Sequence, residues 1–390
     1  MKHFFYEGEI SSSKSLMNRA LVVSSFYSNL NLTGFSLCDD VQKMKKATEQ
    51  FLSGQNLAYD CGAAGTVFRF LSLRLARQPG QHQLTGTPRL FERPHDSLFK
   101  ILKELKVDFE LNSQKLTLRS KGWQWENSIE VDRSQTSQFL SGILLSGWEL
   151  EKDLTLYWKS TVVSDAYFQM TVELLKNLGM RLDQQQDSIT IYKNQKPTTS
   201  SYHVESDLSS CFAVATLAAL SGEAKFKNFP VQSLQPDFEF IEIMKSMNIS
   251  ADITNHSLTI QRSNDLRPIE WNLVNCPDLF PVLCVLCAFV PGTSHLKGAP
   301  HLVHKESNRI LKSAELIKKI HRDCEVTSDG IIIHGKSERE FTPFEFDTDH
   351  DHRMAFAAGI CQYLGAPITI HHPEVVNKSF PEFWKILESV

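Results

Sequence analysis

Along most of this chain the apolar positions change period in a fixed order. A stretch with apolar residues three and four apart leads into two stretches in which apolar and polar residues alternate, with a polar turn between them. The order occurs in I-L-K-E-L-K-V-D-F-E-L-N-S-Q-K-L-T-L-R-S from Ile101 and L-L-K-N-L-G-M-R-L-D-Q-Q-Q-D-S-I-T-I-Y-K from Leu174. It recurs in I-M-K-S-M-N-I-S-A-D-I-T-N-H-S-L-T-I-Q-R from Ile243 and L-I-K-K-I-H-R-D-C-E-V-T-S-D-G-I-I-I-H-G from Leu316. A helical period followed by a period of two predicts a helix end and then a hairpin. The segments begin 73, 69 and 73 residues apart, the mark of a repeated supersecondary unit. Tetratricopeptide and ankyrin repeats are excluded, because their periods are about half as long.

Two further units look trimmed. Lys43 to Asp60 carries the helix and one strand, then runs into C-G-A-A-G-T without a hairpin; the last unit ends in the helical F-P-E-F-W-K-I-L-E-S-V. Six units, four of them complete, predict two similar domains of three units. A cleft between such domains is the natural ligand site. Asn194 to Ser201, N-Q-K-P-T-T-S-S, is the best candidate boundary by composition.

Composition narrows the function classes. With 390 residues, 42% hydrophobic and 22% charged, the chain reads as globular, with length for two or three cores. No apolar run approaches the roughly 20 residues that span a bilayer. The opening M-K-H-F-F-Y-E-G-E-I has glutamates where an export signal needs apolar residues, so a cytoplasmic location is expected. Of eight cysteines only Cys284 and Cys287 form a C-x-x-C, inside an apolar run; buried thiols in a reducing compartment are expected. A net charge of -4 without a long basic run argues against a nucleic-acid partner.

Polar clusters stand before the apolar helical runs. Ile10 to Ala20, I-S-S-S-K-S-L-M-N-R-A, lacks the Walker A glycines but reads as a loop entering a helix N-terminus. C-G-A-A-G-T-V-F-R-F brings Gly62, Gly65 and Arg69, and L-T-G-T-P-R-L-F-E-R-P-H brings Arg89 and Arg93. D-R-S-Q-T-S-Q-F-L-S-G places Thr136, Ser137 and Gln138 at another helix start. The second half adds Asp278 in N-C-P-D-L-F-P-V, and Lys305, Glu306 and Arg309 in H-K-E-S-N-R. It also has His352 and Arg353 in D-H-D-H-R-M-A-F, and Lys378 in N-K-S-F-P-E-F. Each alone is as well read as a solvated cap. The His and Asp residues from Asp349 to His352 are consecutive rather than spaced to converge on a metal. Together the clusters suit anions held at helix N-termini.

Read in order, the motifs resemble those of the 5-enolpyruvylshikimate-3-phosphate synthases of the enolpyruvyl transferase family. They run S-K-S-x-x-N-R-A, G-x-A-G-T-x-x-R, L-T-G-x-P-R-x-x-E-R-P, S-Q-F-L-S-G, V-S-x-x-Y, D-x-S-S, P-D, K-E-S-x-R, D-H-R-M-A and K-S-F-P-x-F. The resemblance implies an α/β fold of two similar domains, each of three βαβαββ units in an inside-out α/β barrel, with the ligand cleft between them. It places residues 1–12 with 206–390 in one domain and 13–205 in the other.

The implied reaction moves the enolpyruvyl group of phosphoenolpyruvate to a hydroxyl of shikimate 3-phosphate, releasing phosphate, by addition and elimination. No metal or organic cofactor is implied, and a monomer is expected. By motif, Lys14, Arg93, Arg309, Arg353 and Lys378 would hold phosphoenolpyruvate, with Gly65 and Gln138 at its edge. Ser15, Arg19, Thr136, Ser137, Ser164 and Lys305 would hold shikimate 3-phosphate, flanked by Tyr167, with Lys14, Gln138 and Asp278 also in reach. Asp278 would take the hydroxyl proton and Glu306 would protonate the methylene carbon. Lys14 and Lys378 would stabilise the departing phosphate.

The sequence departs from the family pattern at four places. Ala63 stands where the family's G-N-A-G-T has an amide, Ser12 where a glycine is expected, and His301 where an asparagine is usual. The hairpin before Cys61 is missing. All the charged positions are kept. Two alternatives stay open: an enolpyruvyl transferase for another anionic alcohol, and a non-catalytic binding protein on the same scaffold.

Overall fold

The computed structural model describes residues 3–54, 58–126, 128–134, 136–159 and 165–388. Contacts divide the chain into a discontinuous unit, Met1–Ser13 with Glu205–Val390, and a central unit, Lys14–Val204. Each has its own sheets and core.

In the central unit Tyr59–Asp60 pairs parallel with Gly80–Thr85, and Lys115–Ser120 and Asp108–Leu111 follow antiparallel. Ile129–Glu130, Leu154–Tyr157, Ser188–Ile191 and Leu182–Gln184 repeat that order. Asn31–Thr33 and Ser201–His203 form a third sheet, parallel and without a hairpin. The discontinuous unit has the same plan. Its sheets run Phe4–Gly8, Gly222–Phe226, Ser257–Gln261, Ala251–Thr254 and then Glu270–Asn272, Gly292–Lys297, Ile331–Gly335, Asp323–Val326. A parallel pair, Phe344–Asp347 with Ile368–His371, makes its third sheet. The four alternating segments of the sequence are therefore the four hairpins. One expectation is corrected: the strand Tyr59–Asp60 does not close the trimmed first unit. It opens the next sheet, because its parallel partner lies beyond the helix Gly65–Ala76, as a crossover requires.

The repeat reaches single backbone angles. In each segment the helix ends on a residue of positive φ: Lys106 (57°), Gly179 (96°), Asn248 (62°) and His321 (60°). At each, the next amide donates back five residues, as Val107 N–H does to Leu102 O at 2.9 Å and Met180 N–H to Leu175 O at 2.8 Å. This paired cap satisfies carbonyls the helix end would leave open, and it turns the chain into the hairpin.

Three mutually packed helices form the centre of each unit. They are Lys14–Ser24, Gly65–Ala76 and Gln138–Leu145 in one, and Leu208–Ser221, Phe280–Ala288 and His352–Tyr363 in the other. Leu208–Ser221 and Phe280–Ala288 are buried at every residue, as helices apolar all round must be. Such helices offer polar chemistry only at their ends. Cys284 and Cys287 lie in this core unbridged; burial pushes both thiols up, Cys287 to about 12, so they are inert packing groups. Among the described residues no helix is long and apolar enough to cross a membrane.

Candidate active site

The polar clusters gather at the N-termini of these central helices. In the discontinuous unit Asp278 sits in the turn Pro277–Leu279 that opens Phe280–Ala288, and Asp351 caps His352–Tyr363 by accepting from Arg353 N–H at 2.9 Å. Arg309 begins the helix Arg309–Lys319, capped by the Asn308 side chain. Lys378 ends the turn Pro373–Lys378.

Arg309 joins them. Its guanidinium donates to Asp278 Oδ1 at 2.8 Å, to Glu306 Oε2 at 3.1 Å, and to both oxygens of Asp351, at 2.8 and 3.2 Å. Arg353 donates to the other oxygen of Asp278 at 3.0 Å, and Lys378 to the other oxygen of Glu306 at 2.8 Å. Asp351 also accepts from Ser307 Oγ at 3.0 Å. Three carboxylates thus interlock with three cations, and Arg309 is only 2% exposed. Burial would raise the Asp278 pKa, but Arg353, Arg309 and Lys305 outweigh it and hold the carboxyl well below its usual range. Arg309 and Arg353 are in turn held charged against their own burial. Asp278 and Glu306 therefore share one guanidinium, each with an oxygen on a second cation.

The central unit offers a second cluster. Lys14 Nζ lies 3.2 Å from Asp40 Oδ2. Gly65 opens its helix against Arg93: a methyl on its Cα would stand 2.7 Å from Arg93 Nη1. Gln138 Oε1 accepts from Arg69 at 2.7 Å and its amide nitrogen donates to Thr66 Oγ1 at 3.1 Å, so these two helix starts meet. Thr136 Oγ1 accepts from Gln138 N–H at 3.2 Å, while the Ser137 hydroxyl makes no such cap. Arg19 is turned inward, 3% exposed, donating to Thr171 Oγ1 at 2.7 Å, Ser15 O at 2.8 Å and Tyr167 O at 3.3 Å. Burial lowers its pKa to about 10, which keeps it charged. Ser164 lies outside the described residues.

His301 occupies the turn Pro300–His304 beside Lys305. Burial, helped by Lys305, lowers its pKa to about 4, so the ring is neutral near pH 7. Ala63 is exposed in the turn before Gly65–Ala76.

Comparison with known proteins decides the family. A model described as EPSP synthase (3-phosphoshikimate 1-carboxyvinyltransferase) matches residues 7–387. The chain belongs to the EPSP synthase family. A 3-phosphoshikimate 1-carboxyvinyltransferase of Clostridium novyi is 28% identical over 98% of this chain and 94% of its own. One of Bacteroides fragilis is 29% identical over 97% and 93%. An EPSP synthase structure from Acinetobacter baumannii covers all of this chain and 96% of its own, with a TM-score of 0.77 at 23% identity. The enolpyruvyl transferase NikO of Streptomyces tendae superposes with a TM-score of 0.75 at 13% identity over 100% and 95%. At those identities the structures speak for the fold, which is the two-domain α/β architecture of EPSP synthases.

Sequence reasoning missed several residues of this EPSP synthase-family site. Asp351 lies inside the D-H-R-M-A motif and is fully buried, yet only the fold shows it gripping Arg309 from 42 residues away. Asp40, the partner of Lys14, was equally hidden, whereas Arg69, which the sequence singles out, is the partner of Gln138. The one available signal was an Asp directly before a helix, an N-cap pattern.

Proposed function

We propose that this chain transfers the enolpyruvyl group of phosphoenolpyruvate to the 5-hydroxyl of shikimate 3-phosphate, with release of phosphate. The observation that supports the reading is that Asp278 and Glu306 lie on one buried guanidinium, so that two carboxyls able to serve as base and acid are held side by side. Each substrate carries a phosphate and a carboxylate, and arginines with fixed forks suit both.

Asp278 accepts the hydroxyl proton as the oxygen attacks C2 of phosphoenolpyruvate. Glu306 delivers a proton to the methylene carbon, giving a tetrahedral intermediate. Loss of a proton from the new methyl group and departure of phosphate restore the double bond. Lys14 and Lys378 meet charge on the leaving phosphate. The ion pairs set a condition on this chemistry. With Arg309 and Arg353 on its oxygens, Asp278 is a weak base. A substrate anion that takes up part of those cations' charge raises the basicity of Asp278, so binding and activation are one event.

The test is phosphate release with the substrates together and singly. Release that needs both, with vinyl protons of the enolpyruvyl ether seen by NMR, is expected. Asp278→Asn and Glu306→Gln should lower kcat by about 100-fold or more. Turnover near wild type in either variant removes its acid–base role. Absence of release with shikimate 3-phosphate, but release with another anionic alcohol, would move the reading to a different acceptor.

A further inference from the structure

The Asp132–Gln138 loop and the first turn of the helix Asp165–Asn177 come from different parts of the βαβαββ unit, and one side chain ties them together. Arg133 is 2% exposed and pairs with the carboxylate of Asp165, the first residue of that helix. Its guanidinium lies 4.6 Å from the ring centre of Trp158 and 4.4 Å from that of Phe168, two rings that meet edge to face. A planar, permanently charged fork fits between two aromatic faces and still donates at its end, which a lysine cannot match.

The loop itself is held by short local bonds. Ser134 N–H donates to Asp132 Oδ1 at 2.8 Å, and Gln138 N–H to Thr136 Oγ1 at 3.2 Å. These shape the loop, and the Gln138 side chain ties its far end to Arg69 and Thr66. The Asp165–Asn177 helix is gripped a second time by Arg19, which donates to Tyr167 O at 3.3 Å and Thr171 Oγ1 at 2.7 Å. Two buried arginines therefore hold the first two turns of this helix, Arg19 through Tyr167 and Thr171 and Arg133 through Asp165, and Arg133 joins them to the loop that carries Thr136 and Ser137.

We propose that Arg133 is a positioning residue for the acceptor, setting Thr136 and Ser137 against Tyr167 so that shikimate 3-phosphate meets a preformed site. The proposal rests on the acceptor reading given above. It does not place Arg133 on the substrate: the residue acts through the loop and the helix it joins. A site whose walls come from two elements loses affinity steeply when their spacing relaxes.

The experiment compares wild type, Arg133→Leu, Arg133→Lys and Asp165→Asn by steady-state kinetics with each substrate varied in turn, and by calorimetric binding of shikimate 3-phosphate. Arg133→Leu should raise KM and Kd for shikimate 3-phosphate about tenfold, with KM for phosphoenolpyruvate and kcat within about twofold. Arg133→Lys should recover part of that loss, since it keeps the charge without the fork. Asp165 is 44% exposed on its side chain, so Asp165→Asn opens the same clamp without disturbing the core and keeps the test valid if Arg133→Leu does not fold. It should raise the same KM about threefold. The proposal is overturned if both substrates weaken equally, or if melting temperature falls while KM for shikimate 3-phosphate stays at the wild-type value. Wild-type protein that neither binds nor turns over shikimate 3-phosphate would remove the acceptor reading and this inference with it; a working wild type with indifferent variants removes this inference alone.

Discussion

Arg309 shows how much chemistry one buried side chain can organise. Asp351 takes its Nε edge, so the remaining end of the fork meets Asp278 and Glu306. A buried guanidinium with its donors on carboxylates is stable only while all of them stay, since an uncompensated buried charge costs about 3–5 kcal/mol. Gly65 is the opposite kind of residue, present for the atom it lacks. An added methyl would stand 2.7 Å from Arg93 Nη1, but that contact is the far end of a flexible side chain. Gly65→Ala should therefore change stability by no more than about 0.5 kcal/mol. Displacement of Arg93 should raise KM for phosphoenolpyruvate about tenfold in steady-state kinetics, with kcat less affected. An unchanged KM would separate Arg93 from that substrate. The charged residues of the site were legible in the sequence because they cluster beside apolar helical runs. Asp351, Asp40 and Asp165 were not, because each matters through a partner distant in the chain: Arg309, Lys14 and Arg133.

At the scale of elements, the alternation that marked the hairpins was legible because a half-buried strand leaves no freedom in its pattern. Their caps were legible only in part. Gly179 and Asn248 are residue types that accept a left-handed backbone, whereas Lys106 and His321 adopt it at φ 57° and 60° with nothing in the sequence to show it. The repeat explains this: the cap is required at that position in every unit, whatever side chain stands there. Lys106 contributes only an exposed contact 3.8 Å from Glu126. Lys106→Gly should then stabilise the central unit by about 0.5–1 kcal/mol, because relief of the left-handed strain exceeds the entropy glycine adds to the unfolded chain. That corresponds to a rise of about 1–4 °C in melting temperature by calorimetry. A fall would show that the lysine stem contributes packing that outweighs the strain.

At the scale of the whole molecule, acid reaches both units through neutral histidines. His95 in the central unit is pushed to about 4 by burial and by Arg69, and His301 in the discontinuous unit to about 4 by burial and by Lys305. In the unfolded chain both titrate near 6.5. Between those values the unfolded state binds more protons, so stability rises with pH and is lost as pH falls from about 6.5 towards 4. Each histidine should account for about 1–2 kcal/mol of that loss by pH 5. Urea unfolding at pH 7 and pH 5 checks this, and His95→Gln or His301→Gln should flatten the slope if it is correct. The neutral His95 ring also fits its contacts, with Nε2 2.9 Å from Leu90 O and Phe68 packed 4.7 Å away.

The parallel pairing of Phe4–Gly8 with Gly222–Phe226 has a consequence for synthesis. The ribosome makes this strand roughly 200 residues before its partner, which at about 5–20 residues per second is a wait of about 10–40 s. During that time the whole of Lys14–Val204 emerges with its own sheet partners already made. Phe4, fully buried in the finished protein, stays without its partner strand until residue 222 has emerged. The order in which this chain is written is therefore not the order in which it can be assembled.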